Sequence, residues 1–144
     1  MFIPDLSPYR SAFEWAVPLR AVGWLEHPEP YPTGTAPTEL VAKLAALADE
    51  PLVISMGFHA CSLCAETGIE TTGIPWSRIV FIPGDGEVFV APGGVVHYVE
   101  SHSYLPPARF IEAVLHCPDP ASAAYWAAMT KSNADVAPPI GQPR

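Results

Sequence analysis

Arg78-Ile-Val-Phe-Ile-Pro-Gly-Asp-Gly-Glu-Val-Phe-Val-Ala-Pro-Gly-Gly-Val-Val-His-Tyr-Val99 is the stretch whose reading decides the fold. It holds three short apolar runs, 78–82, 87–90 and 95–99, rich in Val, Ile and Phe. Pro83-Gly-Asp-Gly86 and Ala91-Pro-Gly-Gly94 separate them. Gly and Pro punctuate chains because they take backbone conformations that continuing elements do not. Strand-length runs between such punctuation predict an antiparallel meander of three strands.

Working outward, Leu52-Val-Ile-Ser-Met-Gly-Phe58 reads as a buried strand, and Ala16 to Glu26 as another with Pro18 near its start. Residues 1–11 read as an irregular lead-in, and His27 to Pro37, with four prolines, as a loop. Thr38 to Asp49 is the clearest helix, because Leu40, Val41, Leu44, Leu47 and Ala48 recur at helical spacing. Pro37, Glu39 and Pro51 fit its start and stop. Pro106-Pro107 opens a second helix with Phe110, Ile111, Val114 and Leu115 on one face. Asp119-Pro120 reads as the cap and first residue of a third, carrying Tyr125, Trp126 and Met129. The expectation is one α+β domain over 1–133, a small antiparallel sheet with two to three helices packed on it, and a Pro-rich disordered tail at 134–144. No internal repeat is present.

The apolar run at 52–58 delivers the chain to His59 and to Cys61-Ser-Leu-Cys64; His97 and His102 follow. Cys-x-x-Cys with two later histidines separated by four intervening residues is the ligand set and spacing of a tetrahedral zinc site. Thiolate and imidazole both suit a borderline-soft cation. On a continuous strand, however, residues five apart point to opposite faces. Cys61, Cys64, His97 and His102 can then share an ion only if the strand ends or bulges near Glu100-Ser101. Otherwise the set is Cys61, Cys64, one of those histidines, and His59 or a water.

Other readings of these residues are weaker. A thioredoxin-like dithiol needs a long helix after the first cysteine, and Gly68 with the Thr71-Thr72 pair breaks one within two turns. Haem attachment needs His after the second cysteine, where Ala65 stands. Zinc deaminases carry His-x-Glu before Pro-Cys-x-x-Cys, but Cys61 follows His59 by two and no proline precedes it. The plainest alternative is two buried thiols and unlinked histidines. Cys117 reads as a buried inert thiol, His27 as a loop residue, and His116 as a favourable cation at a helix C-terminus.

The 144 residues suffice for a real core, with 49% hydrophobic and 15% charged residues. Net charge is −8, seven Lys+Arg against fifteen Asp+Glu, with no basic cluster. Nucleic-acid binding rests on phosphate neutralisation, so the DNA-binding use of a Cys2His2 site is disfavoured, as is an anionic membrane surface. No apolar run approaches the roughly 20 residues that span a bilayer. The first residues lack the basic and apolar regions of a signal peptide, and three cysteines make no disulfide framework. A cytoplasmic location is the expectation.

Ala21-Val-Gly-Trp-Leu-Glu26, Tyr31-Pro-Thr-Gly34, Gly57-Phe-His-Ala-Cys-Ser-Leu-Cys64 and His97-Tyr-Val-Glu-Ser-His-Ser-Tyr-Leu-Pro-Pro107 together resemble a group of uncharacterised bacterial proteins of similar length, a domain of unknown function. The resemblance covers most of residues 20–115. It implies that the Cys and His segments belong to one unit and that the source is bacterial, and it supplies no reaction.

Two functions follow. In the first, zinc held by Cys61, Cys64, His97 and His102 closes its coordination sphere and staples the fold. Trp24, Trp76, Tyr104 and the acidic surface would then serve a protein partner, in a regulatory or interaction module. In the second, a zinc-dependent hydrolase keeps one metal position open, with Glu100 or His59 as general base. A cavity lined by Glu100, Tyr98 or Tyr104 would mark it. Two thiolates make zinc a weaker Lewis acid, which favours the staple. No substrate is legible.

Overall fold

The computed structural model describes residues 1–11, 14–49, 61–66, 68 and 78–133, together with the backbone of 53–54. Its elements in chain order are β1 (Leu19–Ala21), α1 (Thr38–Asp49), β2 (Val53–Ile54), α2 (Ser62–Glu66), β3 (Arg78–Pro83), β4 (Val88–Pro92), α3 (Val95–Ser101), α4 (Ala108–His116) and α5 (Ala123–Ser132). The chain is α+β. The strands form one sheet in the order β1-β4-β3-β2.

The β3–β4 hairpin forms where the Pro-Gly-Asp-Gly turn predicts it, with Phe81 opposite Val90 and Ile79 opposite Pro92. β2 extends it antiparallel. β1 joins the other side in parallel, Leu19 opposite Val88 and Ala21 opposite Val90. A parallel neighbour needs a crossover connection, and α1 lies within it. The central strand β4 is buried at all five positions, and Phe89 meets Phe110 of α4 edge to face at 5.7 Å. The lead-in is not detached: Ile3 and Pro8 bridge Trp24 and Arg20, which covers the outer edge of β1.

The α1 stripe is buried at Leu40, Leu44, Leu47 and Ala48, whereas Val41 is half-buried. Basic side chains close helix ends where carbonyls lack partners. Arg78 donates to Ala48 O at 2.8 Å at the end of α1, and Lys43 donates to Leu115 O at 2.6 Å at the end of α4.

Several expectations are corrected. Val95–Val99 is not a third strand of the meander but helix α3. Its β-branched residues favour strands, yet propensity yields to packing. After the Gly93-Gly94 turn, Val95 and Tyr98 fall one turn apart and both bury. Among the described residues there are five helices, where two to three were expected. The strand expected over 16–26 narrows to β1. That expected over 52–58 appears as β2, its other residues lying outside the described ones. The cap of α5 is Ser122, whose hydroxyl accepts from Tyr125 N at 3.3 Å. Asp119 instead accepts from Ala121 N at 2.8 Å, an Asx turn one step earlier. The tail 134–144 and Trp76 lie outside the described residues. No helix among the described residues is long and apolar enough to cross a membrane.

Candidate metal centre

Two short arms build the centre. In the first, Cys61 stands just before α2. Its sulfur accepts from Cys64 N at 3.3 Å and its carbonyl from Ala65 N at 3.0 Å, so it caps the helix that carries Cys64. The helix stops at Glu66, as the breakers after Cys64 lead one to expect. The 26–28 loop braces it: His27 N donates to Ser62 Oγ at 2.9 Å, and His27 Nε2 lies 3.5 Å from Glu66.

In the second arm, α3 carries His97, and His102 is its C-terminal cap residue. Tyr98 O accepts from both His102 N and Tyr104 N, at 3.0 and 3.1 Å. The chain then turns through Ser103, whose φ of +52° lies in the left-handed region. Residues 31–34 run alongside and hold this turn: Tyr31 donates to His102 O at 3.1 Å, Gly34 N to Ser103 O at 3.0 Å, and Leu105 N to Pro32 O at 3.0 Å. The strand objection is removed because α3 is helical and unwinds at its cap. The two imidazoles meet edge to face with centroids 4.9 Å apart.

Cys61 and Cys64 are buried, at 1% and 4% exposure, and both histidines are half-buried. The four donor atoms lie within 4.8 Å of one another. His102 Nε2 is 3.4 Å from Cys61 Sγ, 3.2 Å from Cys64 Sγ and 3.2 Å from His97 Nε2, while Cys64 Sγ is 3.3 Å from His97 Nε2. A tetrahedral ion with bonds of roughly 2.0–2.3 Å sets its donors roughly 3.3–3.8 Å apart, so the donor set fits. A ring nitrogen has one in-plane hydrogen or one lone pair. Hydrogen bonding alone cannot serve three neighbours of His102 Nε2 at once; an ion at the centre of the four can.

The local electrostatics point the same way. Burial pushes the Cys64 thiol up, and the hydrogen bond and charge of Cys61 add to that. The Cys64 sulfur therefore resists ionisation without a cation beside it. Burial lowers His102. His97 is lowered by burial and then by His102, with the carboxylate of Glu100 pulling the other way. Both rings are thus held neutral, the form that ligates metals.

The other candidates fall elsewhere. His59 lies outside the described residues. Glu100 is exposed on α3 and is not one of the four clustered donors. Tyr98 is buried and donates to Leu25 O at 3.4 Å. Tyr104 is fully buried and donates to Asp5 at 2.8 Å. Trp24 is buried as well, with its Nε1 donating to Val90 O at 2.9 Å, so Trp24 and Tyr104 are core residues and not a partner surface. Cys117 is buried and apart from the cluster. His116 Nδ1 donates to Glu112 O at 2.8 Å at its own helix end. Sequence reasoning missed Tyr31 as the residue that holds the His102 loop. No local pattern signals that long-range contact, whereas the helical spacing of Val95, Tyr98 and His102 was an available signal for α3.

The chain belongs to the family described as a domain of unknown function, DUF7919, which matches residues 1–115. That span contains all four donors and both arms, and α5 lies beyond it. No curated protein and no solved structure matches the chain.

Proposed function

We propose that this DUF7919 protein is a small zinc-binding module in which Cys61, Cys64, His97 and His102 close a tetrahedral site that stabilises the fold. The observation that carries it is the single point on which four donors converge, with His102 Nε2 within 3.4 Å of the other three. Two sulfurs and two imidazoles select a borderline-soft divalent ion, and zinc suits them best. Bound zinc would supply folding free energy. Neither α2, five residues long, nor α3, seven long, is stable alone. Fixing Cys64 to His97 and His102 ties the two together. The −8 net charge supports a protein partner over nucleic acid.

Four donors favour this closed site over the hydrolase reading, which leaves a position open. The exposure of Glu100 and its absence from the cluster weigh against its service as general base. Cobalt(II) substitution tests the reading. The expected result is visible absorption of a four-coordinate ion with thiolate charge-transfer bands. Cys64→Ala and His102→Ala should each weaken cobalt binding at least about 10-fold, while His27→Ala and His116→Ala leave it unchanged. A pale, six-coordinate cobalt spectrum, or binding indifferent to Cys64→Ala, would overturn it.

A further inference from the structure

A groove of about 570 Å³ is lined by α1, the 34–38 segment, and Val99, Glu100 and Ser103 at the end of α3, and none of the four donors lines it. That is the size range of small-ligand sites. Its apolar walls are Pro37, Val41, Ala42 and Val99. Val41 belongs to the helical stripe read from the sequence yet stays half-buried because it faces this space. The polar lining is Thr35, Thr38, Ser103 and Glu100. The three hydroxyls make no hydrogen bond among the described residues, and Glu100 makes no ion pair among them. No Lys, Arg or His lines the groove among the described residues. It therefore offers aliphatic walls, one carboxylate without an ion pair and three hydroxyls without a hydrogen bond among the described residues, within a chain of net charge −8.

We propose that this groove is a docking site for a lysine side chain carried on a partner's peptide segment. A lysine has an apolar stem of four methylenes and a cationic tip with three donors. The stem matches Pro37, Val41, Ala42 and Val99, and the ammonium matches Glu100. The hydroxyls of Thr35, Thr38 and Ser103 supply acceptors for the remaining N–H groups and for the peptide beside the side chain. An anionic ligand meets Glu100 unpaired, and a purely apolar one leaves the carboxylate without a counter-charge. The overall acidity steers basic segments toward the surface at low salt. Because the groove uses none of the four clustered donors, this proposal stands apart from the zinc reading.

The test is amide chemical-shift titration of the full chain with acetyl-Gly-Lys-Gly-amide. Comparators are the norleucine and glutamate analogues and n-butylammonium. The expected result is saturable shifts at Val41, Val99, Glu100 and Ser103. The norleucine peptide and n-butylammonium should bind roughly threefold or more weakly, and the glutamate peptide should leave the groove unshifted. Glu100→Gln should weaken the lysine peptide roughly threefold, and Ala42→Phe, which fills the groove from an exposed helix position, should abolish binding. Metal content measured on each variant separates failure here from failure at the metal centre. No saturable shift at the groove, norleucine or butylammonium binding as tight as the lysine peptide, or indifference to Glu100→Gln would each overturn the proposal.

Discussion

Replacing Gly23 by Ala should cost more than the same change at Gly86, and the difference measures how tightly α3 is set against the body of the protein. Both glycines have positive φ, +79° at Gly23 and +70° at Gly86. A side chain in that region costs about 1–2 kcal/mol at either site. A Cβ at Gly86 would meet nothing within 4 Å, so conformational strain is the whole cost there. A Cβ at Gly23 would sit 2.7 Å from Val95 Cγ2, closer than carbon atoms approach, and 3.6 Å from Tyr104. Relieving that overlap costs a further ~1–3 kcal/mol. Gly23→Ala should therefore destabilise by about 2–5 kcal/mol and Gly86→Ala by about 1–2. Against a total on the order of 10 kcal/mol, the first change consumes a large share. Urea unfolding followed by tryptophan fluorescence reads both values. Val95 opens α3, and His97 follows two residues later, so Gly23→Ala should also weaken metal retention whereas Gly86→Ala should not. Equal destabilisation by the two substitutions would refute the close approach of Gly23 to α3.

Tyr104→Phe removes a 2.8 Å hydrogen bond from a fully buried hydroxyl to Asp5, whose other oxygen holds Gly23 N at 3.0 Å. A bond to a charged acceptor contributes about 1.5–3 kcal/mol, and a loss below about 0.5 kcal/mol in urea unfolding would contradict the assignment. Cys117 should be nearly inert in the folded chain. Burial pushes its thiol up to about 11 from 9.0, the charge of Lys43 opposing only in part. At pH 8 its thiolate fraction is then roughly 100-fold below that of an ordinary cysteine, and labelling with a thiol reagent should speed up as pH rises toward 11 and on unfolding. Because the folded value is the raised one, the stability linked to Cys117 is complete below pH 9 and is lost as pH climbs through 11. Cys117→Ala should flatten that alkaline loss; an unchanged alkaline profile would contradict it.

How much was legible follows residue by residue. The hairpin of β3 and β4 is written in Pro83-Gly-Asp-Gly86, because the turn and the flanking apolar runs agree. Helices α1 and α4 are written in their apolar spacing, with Leu40, Leu44, Leu47, Ala48, Phe110 and Val114 buried and Val41, Ile111 and Leu115 half-buried. The pairing of β1 with β4 joins residues far apart in the chain, and no local pattern specifies it. Helix α3 was hidden because Val95-Val-His-Tyr-Val99 has strand composition while its burial follows helical spacing. Asp119-Pro120 misplaced the cap of α5 because the same chemistry that caps helices also makes Asx turns. That Cys61, Cys64, His97 and His102 could form a metal-binding group was suggested by residue type and spacing, with His59 or a water left open as a substitute for one histidine. How they converge was not, because the convergence depends on α3 being a helix that ends at His102.

The central claim is that these four side chains hold one metal ion. Elemental analysis of the purified, untagged protein, with thiol titration before and after chelation, tests it most directly. The account predicts about one zinc per chain, with Cys61 and Cys64 reacting only once the metal is removed. A metal-free protein whose Cys61 and Cys64 react freely, or cycle reversibly to a disulfide, would contradict it.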